Sequence, residues 1–222
     1  MAESCLLYYI TDRKAFPGDE PTRRRRLLDK IAEAARAHVD YVQLREKDLS
    51  TGDLESLARE AMQIIHSQEL ATALLINSRA DVAIAVGAHG IHLTSARGGL
   101  TAKQVRSLYS AAGLSAPWIT ASCHSPEQVA RLRKEQGPGD GSDRSVDAIL
   151  FAPVFGKVVA GEIVSPAQGL DKLHAACIAA GPIPVYALGG VTPENTAECL
   201  HAGASGIAGI RLFHDMNLHR KV

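Results

Sequence analysis

Tyr41-Val42-Gln43-Leu44-Arg45-Glu46-Lys47 reads as an apolar strand that runs out into polar groups. Side chains alternate across a strand, so Gln43, Arg45 and Lys47 are expected to point the same way. Together they bring three hydrogen-bond donors, two of them cationic, to one small volume. Such a cluster calls for an anion, and a guanidinium grips two phosphate or carboxylate oxygens at once. The plain alternative is the solvated face of an edge strand. The choice depends on what flanks the stretch. Helical segments are expected on both sides, over residues 22–38 before it and 54–69 after it.

The same unit, a short apolar run and then a helical segment, recurs along the chain. Strands are expected at 6–11, 41–46, 72–77, 90–94, 118–123, 148–155, 184–188 and 206–210. Helices are expected at 22–38, 54–69, 80–86, 102–112, 126–135, 170–180 and 193–202, followed by a short, weak helical tail. Pro126 is well placed in a first helical turn. Apolar strands alternating with helices imply a parallel sheet buried on both faces. Eight such units in 222 residues predict an α/β fold, a single (β/α)8 TIM barrel over residues 1–222. A doubly wound open sheet is the alternative. It usually carries a glycine-rich turn after its first strand, where this chain has Asp12-Arg13-Lys14-Ala15. The stretch 136–146 reads as a flexible surface loop rather than a linker between domains. It joins a helix to the next strand, on the stability face of a barrel, so no catalysis is expected there.

In a barrel the active site lies where the strands end. That rule moves Gln43, Arg45 and Lys47 from surface to pocket. The other strand ends offer Thr11 and Asp12, Asn77 and Ser78, His92 and Thr94, Ser122 and His124, Pro153 and Lys157, Gly189 and Gly190, and Gly209 with Arg211. Apart from Asp12 and Glu46 the set is poor in carboxylates, which again suits an anionic substrate. Gly189 and Gly190 precede a helix, and glycines there let backbone amides close on an anion. Gly209 precedes the helical tail, whose amides are a second candidate. Loops after the seventh and eighth strands hold phosphate in many barrels. A tight turn is the alternative for the glycine pair. His124 follows the fifth strand, and a neutral imidazole there moves protons near pH 7. Its alternative is a structural place beside the helix cap Ser125, with Gln128 at the capping-box position. His92, between Ile91 and Leu93, is expected to be a packed or hydrogen-bonded barrel residue.

Bulk charge adds no further partner. The 24 basic and 24 acidic residues cancel, so nothing points to nucleic acid or to a membrane surface. Arg23-Arg24-Arg25-Arg26 is the one dense basic run, and Leu27, Leu28 and Ile31 behind it mark a surface helix. No apolar stretch approaches the ~20 residues of a spanning helix. Met1-Ala2-Glu3-Ser4 lacks the basic region of a signal peptide. Cys5, Cys123, Cys177 and Cys199 have no metal-type spacing. Reduced, mostly buried thiols and a cytoplasmic location are the expectation.

The motifs extend over nearly the whole chain. They are Tyr9-Ile10-Thr11-Asp12, Gln43-Leu44-Arg45-Glu46-Lys47, Ile76-Asn77-Ser78-Arg79-Ala80-Asp81-Val82-Ala83, Gly90-Ile91-His92-Leu93, Ser122-Cys123-His124-Ser125, Ala187-Leu188-Gly189-Gly190-Val191-Thr192-Pro193-Glu194-Asn195 and Ala202-Gly203-Ala204-Ser205-Gly206-Ile207-Ala208. In this order they resemble the superfamily of thiamin phosphate synthases and TenI-type thiazole tautomerases. The resemblance implies an enzyme of thiamin biosynthesis acting on a thiazole phosphate. It implies substrate or phosphate binding by Gln43, Arg45, Lys47, Asn77, Ser122, Gly189, Gly190 and Gly209. His124 and Lys157 are the catalytic candidates. The expected partners are a thiazole phosphate and, under one reading, a pyrimidine diphosphate, with a homodimer as the candidate assembly.

Departures from the family pattern choose between its reactions. The synthases join an aminopyrimidine diphosphate to a thiazole phosphate, release pyrophosphate, and hold magnesium with two aspartates. Here Ser78 stands at the first aspartate position, and Thr94-Ser95-Ala96-Arg97 holds no carboxylate. Magnesium wants oxygen ligands, usually including carboxylates. No cofactor is therefore expected, and Mg2+ only under the synthase reading. The tautomerases lack those aspartates, and their proposed proton-transfer histidine maps onto His124. A metal-independent TenI-like tautomerase is the leading expectation. A divergent synthase and a non-catalytic binding or regulatory protein are the alternatives. The sixth loop, Pro153-Val154-Phe155-Gly156-Lys157-Val158-Val159-Ala160-Gly161, lacks the family's threonines and carries its lysine three places early. Lys157 and Arg97 are candidates to replace the charge of the metal, and 156–168 is a candidate lid.

Overall fold

Burial alternates along the first strand, β1 (Leu6–Ile10), in a way that already requires two cores. Tyr8 and Ile10 pack with Leu75, Leu150 and Tyr186 in one cluster. Tyr9 packs instead into a larger one with residues of the helices. A strand apolar on both faces has to lie between two layers. The computed structural model shows those layers as the inside of a closed barrel and the shell between barrel and helices. It describes residues 5–67, 71–94, 98–134, 146–159 and 162–215, with 157–159, 162–165 and Asp215 by backbone alone.

The barrel strands after β1 are β2 (Tyr41–Leu44), β3 (Ala73–Asn77), β4 (Gly90–Leu93), β5 (Trp118–Cys123), β6 (Ala148–Phe151), β9 (Val185–Leu188) and β10 (Gly206–Gly209). Each pairs in parallel with its neighbour, and β1 closes the ring by pairing with both β2 and β10. The outer elements are α1 (Glu20–Arg36), α2 (Thr51–Ser67), α3 (Ala80–Val86), α4 (Ala102–Ala111), α5 (Pro126–Lys134), α6 (Leu170–Ala180), α7 (Thr196–His201) and the short α8 (Arg211–Asp215). This is the single (β/α)8 barrel expected.

Local chemistry sets the element ends. Asp19 caps α1 by accepting from the Thr22 amide at 3.1 Å, with a proline in the first turn. Thr101 and Gln104 form a reciprocal capping box on α4. Gly90 opens β4 where a Cβ would lie 1.9 Å from the Trp118 carbonyl oxygen. No side chain fits between those two strands.

Several expected bounds move, and two of the shifts bear on the site. The sixth strand stops at Phe151 rather than residue 155. The Ala152 amide still donates to the Cys123 carbonyl at 3.1 Å, but Pro153 has no N–H to continue the ladder. The loop beyond it contains a two-stranded antiparallel ladder, β7 (Lys157–Val159) with β8 (Glu162–Ser165). The second strand ends at Leu44, so Arg45 and Lys47 lie past the pleat and do not share a strand face with Gln43. The Arg45 amide turns to the Thr11 hydroxyl at 3.0 Å. Stretch 136–145 and Arg97 lie outside the described residues, and so does the side chain of Lys157.

Aromatic rings occupy the lower half of the barrel. Tyr8 lies 5.7 Å from Tyr41 and 5.6 Å from Tyr186 between ring centroids, and Tyr41 stacks on Trp118 at 5.6 Å. Polar groups are thereby left to the upper half, where the strands end.

Candidate active site

Strand ends β1 and β2 are locked by a buried ionic knot. Glu46, 5 % exposed, accepts from the Thr11 hydroxyl at 2.6 Å and from Arg13 Nη1 at 3.1 Å. Arg13 also forks onto both carboxylate oxygens of Asp48, at 2.7 and 2.8 Å. Burial pushes the Glu46 carboxyl above its ordinary range, while its bonds to Thr11 and Arg13 pull the other way. Arg13 holds Asp48 well below the usual carboxylate range. Thr11 joins the knot to the site, because the hydroxyl that donates to Glu46 also accepts from the Arg45 amide. The backbone that presents Arg45 is thus held from the neighbouring strand.

Gln43 lies inside the barrel, 1 % exposed. Its Nε2 donates to Asn77 Oδ1 at 3.1 Å. Its Oε1 is buried and has no partner among the described residues. Buried polar atoms are nearly always bonded, so a bare amide oxygen implies a donor still to come. Beside the β2 and β3 ends is a cavity of about 510 Å³, bordered by Glu46, Lys47, Asn77, Ser78, Arg79 and Thr94. Lys47 is exposed there, and Arg45 is half-buried.

His92 is 4 % exposed and bonded through both ring nitrogens, Nδ1 to Thr120 Oγ1 and Nε2 to Ser122 Oγ, each at 2.8 Å. Burial, helped by the Arg45 charge, pushes its pKa down to about 3, so the ring is neutral. This is the hydrogen-bonded barrel residue expected. Ser122 is half-buried at the upper end of β5. His124, two residues on, is exposed. Its Nδ1 lies 2.8 Å from the Ala152 carbonyl, and its amide donates to Gln128 Oε1 at 2.7 Å. A carbonyl only accepts, so Nδ1 carries the proton and Nε2 of the neutral ring keeps its lone pair.

Both glycines after β9 have left-handed backbone, φ +95° at Gly189 and +68° at Gly190. A Cβ would come within 2.8 Å of Pro153 and 2.7 Å of Phe155, respectively. Asn195 closes the turn by accepting from the Thr192 amide at 2.8 Å and donating to the Gly190 carbonyl at 3.1 Å. The tight turn therefore accounts for both glycines by itself, and an anion would add to it. After Gly209, α8 has only five residues.

The described donors do not fit a magnesium ion held by protein carboxylates. Glu46 is occupied by Arg13 and Thr11, and Asp81 by Arg79. Ser78 and Thr94 are hydroxyls bonded to each other at 3.3 Å. Among the described residues no three of His, Cys, Asp and Glu come together as a metal site.

The strand-end rule pointed to Gln43, Asn77, Ser122 and the glycine turn, which lie on or just past barrel strands. It missed Arg13, Asp48, Tyr8 and Thr120, which support those residues without reaching the mouth. An arginine in a polar turn and a hydroxyl within an apolar strand give no periodic signal. Only knowing which strands are neighbours would have found them.

Comparison with known proteins gives the family and the fold. The family model described as thiamine monophosphate synthase matches residues 7–213. A "Putative thiamine-phosphate synthase" of Geobacter sulfurreducens is 37% identical over 205 residues, 91% of this chain and 83% of that one. The thiamine-phosphate synthase of Syntrophomonas wolfei is 31% identical over 204 residues, 91% of this chain and 85% of that one. Among solved structures, the thiamine phosphate pyrophosphorylase of Pyrococcus furiosus has a TM-score of 0.70 at 24% identity. That match covers 92% of this chain and 85% of the other, and it shows the shared fold.

Proposed function

The chain belongs to the thiamine monophosphate synthase family, and on that premise we propose that it joins a pyrimidine diphosphate to a thiazole phosphate and releases pyrophosphate. It is an enzyme of thiamin biosynthesis. The motif departures put a tautomerase first, whereas the names of the relatives favour the synthase. The observation that carries the proposal is the bare, buried Gln43 Oε1 beside Asn77. An oxygen that can only accept, next to a carboxamide, suits the N–H groups of an aminopyrimidine. Arg45 and Lys47, just above, suit the diphosphate. Ser122 supplies a hydroxyl on the opposite side, and the Gly189-Gly190 turn suits the thiazole phosphate. Gly209 and Lys157 remain second candidates for the same phosphate.

Chemically, the ring nitrogen of the thiazole attacks the pyrimidine methylene carbon as the carbon–oxygen bond to the diphosphate breaks. Gln43 and Asn77 orient the pyrimidine. Arg45 and Lys47 stabilise the charge gathering on the departing oxygen. No step is assigned to magnesium, because the donor set does not fit one. Incubation with both substrates, with and without Mg2+, and measurement of thiamin phosphate is the test. No product under either condition overturns the reading.

A second reading, thiazole tautomerisation, is favoured by Ser78 at a position where a metal site needs a carboxylate, and by the available Nε2 of His124. There His124 would move the ring proton between two positions while the glycine turn anchors the phosphate. Proton exchange into the thiazole followed in deuterated buffer decides it. A rate equal to the uncatalysed one, or one unchanged in His124→Ala, excludes it.

A further inference from the structure

Four polar side chains inside the barrel form one continuous line. Tyr8 Oη lies 3.1 Å from Thr120 Oγ1, which lies 2.8 Å from His92 Nδ1, and His92 Nε2 lies 2.8 Å from Ser122 Oγ. Tyr8 and Thr120 are fully buried. Only Ser122, at the upper end, approaches the mouth. A neutral imidazole has one donor and one acceptor, so the line has two continuous senses; a broken one, with Tyr8 and Nδ1–H both donating to Thr120, takes the buried Thr120 hydrogen out of the line.

In the first sense Tyr8 donates to Thr120, Thr120 donates to Nδ1, and Nε2–H donates to Ser122. The hydroxyl hydrogen of Ser122 is then spare. In the second sense every bond reverses. Ser122 spends its hydrogen on Nε2, and the buried Tyr8 phenol hydrogen is stranded, since Thr120 is the partner of Tyr8 Oη among the described residues. A stranded buried donor carries its full desolvation cost. The first sense leaves no donor stranded, because the spare hydrogen sits at the wet end.

We infer that Tyr8, Thr120 and His92 are positioning residues that make Ser122 a one-way hydrogen-bond donor to an anionic oxygen of the substrate. The inference rests on the proposed function for the identity of the acceptor, but not for the direction of the line. The aromatic floor of the barrel and the chemistry at its mouth are thereby connected by protons. Tyr8 is the terminus that sets the direction.

Nitrogen-15 NMR of the histidine-labelled full chain reads the direction without turnover. The expected result at pH 7 is His92 as the neutral Nε2–H tautomer. The Nδ1–H tautomer, or a charged ring, overturns the inference. Thr120→Val, which keeps shape and removes the link, is expected to give a mixture of tautomers. It should also weaken binding of inorganic pyrophosphate about tenfold, the scale of one lost hydrogen bond. Thr120→Ser restores the hydroxyl and should restore both readouts. A pure Nε2–H tautomer or unchanged pyrophosphate affinity in Thr120→Val sinks the positioning role. The expected tautomers and affinities with no thiamin phosphate formed would instead overturn the proposed reaction alone.

Discussion

Gln43 concentrates much of the site in one atom. Its Nε2 is taken by Asn77, and its Oε1 is buried with no donor among the described residues. Gln43→Leu keeps the length, removes both polar atoms and leaves Asn77 short of a partner. We expect kcat/KM in the synthase assay to fall about 10- to 100-fold, the range for losing a buried hydrogen bond to substrate. Circular dichroism should show the barrel intact. His92 gives a second expectation at this scale. Its pKa is lowered from 6.5 to about 3, mainly by burial. The unfolded chain therefore takes up a proton below pH 6.5 that the folded chain refuses. The stability due to this ring is fully present above pH 6.5 and is lost as pH falls toward 3. The slope is at most about 1.4 kcal/mol per pH unit. Urea unfolding at pH 7.0 and 5.5 measures it. His92→Gln should flatten the slope; an unchanged slope would place the effect elsewhere, His89 being another histidine held low by burial.

At the scale of elements, the decisive event is the early end of β2 at Leu44. Alternation alone carries the strand on to residue 46 and sets Gln43, Arg45 and Lys47 in a row. The chain leaves the pleat because Glu46 turns inward to Arg13 and the Arg45 amide turns to Thr11. Both partners are more than 30 residues away in sequence, so no local pattern announces them. The sixth strand is the contrasting case, since Pro153, with no N–H to donate, is a local signal beside its end. Glu46→Gln tests the knot. Removing one partner of a buried ion pair costs about 3 kcal/mol, and we expect the denaturation midpoint to drop accordingly. The kcat/KM for the pyrimidine diphosphate should fall, kcat included, because a misplaced Arg45 stabilises the departing charge less well. An unchanged kcat/KM would show that Thr11 holds Arg45 without the carboxylate.

The whole molecule divides its labour from bottom to top. The barrel class was legible because apolar strands alternating with helices is a long-range pattern that survives errors at element ends. The site was legible only as a set of strand ends. Which of its members touch, and what props them, depends on neighbours across the ring, such as β4 and β5 bringing His92 to Thr120. The lower half is closed by Tyr8, Tyr41, Tyr186 and Trp118. Trp118→Ala should cost about 3 kcal/mol, the lower end for truncating a large core ring, since Trp118 is only half-buried. We expect kcat/KM at 25 °C to hold within about threefold. A selective loss of activity at full stability would show that the floor does more than fill space.

Gly90 carries a warning for anyone who reads importance from tolerance to mutation. Its neighbour's carbonyl oxygen stands where any Cβ would go. In a saturation scan it would be as unforgiving as Gln43. Yet it lies at the opening of β4, away from the mouth, and offers a ligand nothing. Two positions with the same mutational fingerprint would thus report different constraints, one on how closely two strands approach and the other on what the barrel receives. Scoring folded protein and product separately tells them apart: substitutions at Gly90 should empty the soluble fraction, and those at Gln43 should leave it full but inactive.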